Sequence, residues 1–253
     1  GYNVLTEGME GMIICTAVET PEARYVSVDQ QEYVPARGSS NTVRKHLITT
    51  ERLQIHQSLT RGRGATLEVD FSAATRVAYV LAGAAVLQHS ATDQRATQVG
   101  KGHLIIIAPG THPAHAAEQL TLLTDELVLL EVARATTGQS PVTSSSAVRL
   151  RAVDPASVEA YAPAGHANTQ NRCLFVDEHM EIIEGLIERG GGAERHCHPH
   201  HEQLLYVLAG AGDPLLIHYP KGAPHGTGGG VPERLELLVI YSPPLGESHN
   251  ALA

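Results

Sequence analysis

His196, His198 and His225 stand at spacings that could place three imidazoles around one metal ion. On a strand, residues two apart project to the same side, so His196 and His198 would face together while Cys197 faces away. The turn Pro199 to Glu202 would redirect the chain, letting Gln203 re-enter from the adjoining strand as a third ligand. Its neighbour Glu202 is the alternative oxygen donor. In Pro220-Lys-Gly-Ala-Pro-His225, Gly and Pro shape a tight corner that would aim His225 back toward the pair. Three neutral imidazoles with an amide or carboxylate oxygen, and one or two positions left for water or substrate, suit Fe(II), Mn(II), Ni(II) or Zn(II). Calcium and magnesium, which take oxygen ligands, are disfavoured.

Such a site needs strands to carry it. With 24 Gly and 14 Pro, only 4% aromatic residues and no Trp, the composition suits a turn-rich β protein with small cores. At 253 residues and 42% hydrophobic, the chain can fill one large domain or two ordinary ones. The pentapeptide Tyr-Val-Leu-Ala-Gly decides between them: it occurs at Tyr79 to Gly83 and again at Tyr206 to Gly210, an offset of 206 − 79 = 127. Each copy follows a β-rich stretch, Leu53 to Asp70 or Met180 to His198, and precedes a Pro/Gly turn, Pro109-Gly110 or Pro220-Lys221-Gly222. Two similar all-β domains are expected, 1–135 and 149–253, joined by a Ser/Thr-rich linker over 136–148. The offset carries His196, His198 and Gln203 onto Val69, Phe71 and Arg76, which could not complete a metal site, so the first domain is expected to be metal-free. One irregularity stands out: Gly222 − Gly110 gives 222 − 110 = 112, which is 127 − 112 = 15 short of the upstream offset. That is about two strands with their hairpin. Losing them would open a barrel, so the expectation is that a loop near Gly212 and Asp213 is missing from the sequence rather than from the fold.

The stretch Gly190 to Gly210 resembles the first motif of the cupin superfamily: Gly, a spacer, His-x-His, three or four residues, Glu or Gln, then Tyr-Val-Leu-x-Gly. Pro220 to His225 resembles the second, Pro-x-Gly-x-x-His. This resemblance implies a bicupin, two tandem cupin-type (jelly-roll) β-barrels of which only the C-terminal one keeps an intact metal motif. Carried over residue by residue, the metal ligands fall on His196, His198, Gln203 and His225, with Gln in the string as in sugar-acid cupins. An all-neutral ligand set leaves the metal its full charge, sharpening it as a Lewis acid. The degenerate first barrel is implied to serve packing and dimerisation, giving a homodimer. No catalytic group is fixed by the motifs; Glu202 and Tyr206 are candidates. The implied function is a metal-dependent enzyme acting on a small oxygen-rich molecule, an organic acid, sugar acid or dihydroxyaromatic, by dioxygenase or isomerase/lyase chemistry. The alternative is a non-catalytic small-molecule-binding or sensing bicupin.

Charge narrows the partners. A formal net charge of −9 leaves no basic stripe for phosphates, and no helix-turn-helix pattern flanks the repeats, so nucleic acid is not expected. No run approaches the roughly 18 apolar residues that span a bilayer, and Gly1 to Ile14 lacks signal-peptide regions, which points to a cytoplasmic protein without membrane partners. Cys15, Cys173 and Cys197 are an odd count without metal-ligand spacing and are expected to be reduced. His103, His112 and His115 are read as structural, and His200, His201, Arg195 and Lys221 as solvated.

Overall fold

The computed structural model describes residues 21–36, 39–67, 75–88, 96–109, 119–135, 148–210, 212–227 and 230–246. Val69, Phe71, Gly110, His112, His115, Cys15 and residues 136–147 of the expected linker lie outside them. The described residues are all-β, with one short 3-10 turn at Pro155–Ser157.

The first described strand, β1 (Arg24–Ser27), finds its partner late in the chain, so the first half is built without it. Residues Gln31–Ser157 make one unit. Its strands are β2 (Val34–Pro35), β3 (Thr42–Thr49), β4 (Leu53–Arg61), β5 (Thr66–Leu67), β6 (Arg76–Ala82) and β7 (Ala84–Gln88), followed by β8 (Ala96–Gly100), β9 (Leu104–Pro109), β10 (Gln119–Leu122), β11 (Glu126–Arg134) and β12 (Val148–Val153). Seven form a sheet in the order β12-β9-β6-β11-β4-β3-β2, and four form a smaller one, β5-β10-β7-β8. Alternation along the strands sends Ala78, Val80, Ile105, Leu127 and Leu129 of the large sheet against Ala85, Leu87, Val99, Leu120 and Leu122 of the small one. Each such Leu or Ile buried from water stabilises the sandwich by about 1.5–3 kcal/mol before entropy is counted.

The second unit comprises Val158–Ala253 together with the described residues up to Gln30. Its strands are β1, β13 (His166–Val176), β14 (Glu181–Ala193), β15 (Glu202–Ala209), β16 (Leu215–Tyr219) and β17 (Leu235–Ser242), in the order β1-β16-β15-β17-β14-β13. Position by position this repeats β12-β9-β6-β11-β4-β3, and Ile183, Val207, Leu237, Val239 and Tyr241 fill its inner face. The outermost strands depart from the boundaries expected from the repeat. β12 lies beyond the linker, yet pairs with β9 of the first unit from Val148 to Val153. β1 lies in the amino-terminal half, yet pairs with β16, Arg24 opposite His218 through Ser27 opposite Leu215.

The 15-residue shortfall falls between β15 and β16. Gln203 opposes Tyr219 across β15 and β16 as Arg76 opposes Ile107 across β6 and β9, so β16 is the counterpart of β9. Among the described residues, no strand between Ala209 and Leu215 corresponds to β7 or β8. The end of β14 forms a narrow paired strip with the segment before β17: Gly190 N donates to Val231 O at 2.8 Å, and Thr227 N to Ala193 O at 3.0 Å. The Gly that ends each pentapeptide has a structural reason. Gly83 and Gly210 adopt φ of 86° and 98°, and a Cβ on either would collide with the carbonyl of Glu126 or Arg234 on the neighbouring strand.

Candidate metal centre

The triad sits where the paired strip reaches the mouth of the second sheet. His196 and His225 are locked face to face by two backbone hydrogen bonds, each N–H donating to the other's carbonyl at 2.8 Å, and Gly222 N donates to His198 O at 2.9 Å. This close approach depends on Gly226, because a Cβ there would stand 2.7 Å from Glu194 O. The imidazole centroids are 4.9 Å apart for His196 and His198, 4.4 Å for His196 and His225, and 5.0 Å for His198 and His225. One nitrogen from each ring lies within 4.8 Å of the others. This is the one such cluster among the described residues.

Hydrogen bonding fixes which nitrogens are offered. His196 Nδ1 is 2.8 Å from Glu194 O and His225 Nδ1 is 2.9 Å from Ala223 O. A carbonyl only accepts, so Nδ1 carries the proton in both and Nε2 presents its lone pair. The Nε2 atoms of His198 and His225 are buried without a hydrogen-bond partner. Burial pushes the His198 pKa down to about 3, helped by the neighbouring His225, and that of His225 down to about 4, so both stay neutral at physiological pH. Burial also lowers the pKa of His196, against its hydrogen bond to Glu194.

Gln203 joins the same inner face. Residues 203, 205 and 207 of β15 alternate inward with the apolar core, and the Gln203 amide Nε2 donates to Tyr241 Oη at 3.0 Å. Its Oε1 is buried and has no partner. Two orphaned imidazole nitrogens and an orphaned amide oxygen are a costly arrangement unless an electron-pair acceptor satisfies them, and a divalent ion fits that donor set.

Glu202 and Tyr206, the candidate catalytic groups, are not brought to the triad. Even-numbered residues of β15 face the other side of the sheet, where Glu202 Oε2 accepts from His218 Nε2 at 3.1 Å and Tyr206 is packed at 3% exposure. Arg24 Nε in turn donates to His218 Nδ1 at 3.2 Å. Cys197, facing away from the ligands as alternation requires, is 3% exposed and disulfide-bonded, which corrects the expectation of three reduced thiols; Cys173 is free. His200 is exposed, whereas His201 is half-buried with Nδ1 on Pro243 O at 3.0 Å.

Spacing did not reveal four further residues. Tyr219 stacks on His225 at 4.6 Å and 28°, Tyr241 meets His198 edge-on at 5.3 Å, and His166 lies 5.9 Å from His196. Glu181, fully buried, opposes Tyr241 and accepts from Gly246 N at 2.9 Å. The one available signal was for Tyr219, which directly precedes the Pro220 corner.

No protein-family profile matches the chain, and no curated protein matches it in sequence. Solved structures do match. Bacterial pirin YhhW from Escherichia coli, in complex with nickel(II), is 13% identical with a TM-score of 0.58, over 88% of this chain and 100% of that one. The oxalate decarboxylase formate complex from Lactobacillus farciminis is 12% identical with a TM-score of 0.60, over 91% and 88%. Protein YlbA from E. coli is 12% identical with a TM-score of 0.60, over 89% and 93%. Identities this low speak to fold alone, and together with the duplicated strand order they show an all-β chain that carries the cupin-type jelly-roll fold in tandem.

Proposed function

We propose that the second barrel is the active site of a metal-dependent enzyme acting on a small oxygen-rich molecule such as a keto, hydroxy or sugar acid, with His196, His198, His225 and Gln203 as the metal ligands. The observation that carries this reading is the set of buried, unpartnered acceptor atoms on His198, His225 and Gln203 beside the Nε2 of His196. A divalent ion held there supplies Lewis acidity toward a substrate carbonyl or carboxylate, or, with Fe(II), a place for dioxygen.

The chain's own residues set the conditions. The carbonyls of Glu194 and Ala223 hold two imidazoles in the tautomer and orientation that ligation needs. Tyr241 holds the Gln203 amide so that its oxygen, rather than its NH2, is presented. All four donors are neutral, so none offsets the ion's charge. Leu205, Val207, Leu237 and Val239 line the face behind the site and exclude water from it. The neighbouring structures with nickel(II) and with formate at an oxalate decarboxylase support a metal and a small acid, as analogy of fold.

The test is elemental analysis of the purified protein, followed by reloading with Fe, Mn, Ni or Zn and screening of small acids with an oxygen electrode. A metal stoichiometry near one per chain, with turnover lost in His198→Ala, is the expected result. Oxygen uptake assigns the dioxygenase class, and turnover without it the isomerase or lyase class. Ligand binding that is unchanged in His198→Ala, with no turnover under any metal, would replace this reading with that of a sensor.

A further inference from the structure

The interior of the first barrel is not a plain apolar core. Along β3, β4, β6 and β11 the inward positions carry Arg44, then His56 and Ser58, then Arg76, then Glu131, next to Ala78, Leu129 and Ile105, while His46, further along β3, is exposed. The register makes them contiguous: Arg44 opposes Ser58, His46 and Glu131 both oppose His56, and Ser58 opposes Leu129. Directly opposed side chains on adjacent strands start about 4.5–5.5 Å apart.

Some of this cluster is satisfied internally. Arg44 Nη2 donates to both carboxylate oxygens of Glu131, at 3.2 and 3.0 Å. Three polar atoms are not. Arg44 Nε, Ser58 Oγ and His56 Nδ1 are all buried without a hydrogen-bond partner, and Ser58 is 1% exposed. Burying a guanidinium N–H and a hydroxyl unpaired is destabilising, and an Ala or Val at position 58 would have avoided half of it. Among the described residues, Arg44 and Glu131 pair on this face, with Arg76 on the adjacent strand β6. Burial and Arg44 together push the His56 pKa down to about 4, so the imidazole adds no charge of its own near neutrality.

We propose that this face of the first barrel is a second ligand site, built for the carboxylate of a small monoacid. Arg44 Nε and Ser58 Oγ donate to the carboxylate oxygens, and His56 Nδ1 donates alongside them. The site uses none of the residues of the second barrel and stands or falls apart from the metal reading.

The test is calorimetric titration of the full chain with acetate and butyrate, with butyramide as the uncharged control. Equal butyrate affinity in the wild type and in His198→Ala, with no heat from butyramide, is expected. In Ser58→Ala, removal of an unpaired buried hydroxyl is expected to raise the ligand-free melting temperature by about 2–4 °C. Its butyrate affinity is expected to fall about tenfold, from the loss of one hydrogen bond to a charged group. Arg76→Gln, at a half-buried position, weakens butyrate while keeping the fold. The proposal is overturned if neither acid binds at millimolar concentration, if binding vanishes with His198→Ala, or if Ser58→Ala melts lower with affinity unchanged.

Discussion

Tyr241→Phe removes one oxygen atom and isolates the role of Gln203. Tyr241 and Gln203 are 5% and 7% exposed, and their 3.0 Å hydrogen bond is what orients the amide. Without the hydroxyl, a buried N–H is left unpaired at a cost of about 1–3 kcal/mol. The amide of the metal-free protein escapes that cost by turning away, so the loss falls on the metal-bound form, in which its oxygen must point at the ion. A change confined to the bound state weakens metal affinity by roughly 10–100-fold, as is usual for groups that orient a ligand. Competition with a chromogenic chelator reads this directly, and thermal melting with and without metal separates it from general destabilisation. The reasoning fails if Tyr241→Phe lowers both melting temperatures alike and leaves the metal dissociation constant within twofold of wild type. Gln203 would then be a packed amide and the site a three-histidine one.

Glu202→Ala should leave metal stoichiometry intact while lowering stability by about 1.5–3 kcal/mol in urea titrations, because its carboxylate bonds buried His218 on the opposite sheet face. Acid should destabilise the metal-free protein through His56, His198 and His225, whose folded pKa values of about 4, about 3 and about 4 lie below the ordinary imidazole value of 6.5. Between those limits the unfolded chain binds more protons, so stability is full above pH 6.5 and is lost as pH falls toward 4, which chemical denaturation at stepped pH will show. Metal should stay bound through pH 5 and leave only as the folded imidazoles protonate near pH 4, measured by dialysis and elemental analysis. Gly226→Ala, forcing a Cβ within 2.7 Å of Glu194 O, should part the His196 and His225 segments and abolish metal uptake while retaining β-sheet circular dichroism.

Much of this architecture could be read from spacing. Alternation put His196 and His198 on one side and Cys197 on the other, and a Gly/Pro corner returned His225 to them, because short-range geometry decides those positions. Gln203 was proposed from the turn before it and from its likeness to the cupin string, and the odd positions of β15 place it on the inner face. Tyr219, Tyr241 and His166 were not, since they reach the site through cross-strand register and stacking, which no local pattern encodes. The 15-residue deficit was visible as arithmetic, and the strand order places it between β15 and β16. The partners of β1 and β12 were invisible for a different reason: edge strands of four and six residues carry no signature of the sheet they join.

Those exchanged edges bear on how the molecule is made. β1 leaves the ribosome well ahead of its partner, for β16 begins 215 − 27 = 188 residues after β1 ends. At about 5–20 residues per second it waits on the order of 10–40 s with its backbone amides unmatched. The nascent chain can therefore finish the first sandwich, as soon as β12 emerges, long before the second sheet has its last strand. A gene cut within 136–148 would strand β1 on one product and β12 on the other, leaving β9 and β16 each with a bare edge open to foreign strands.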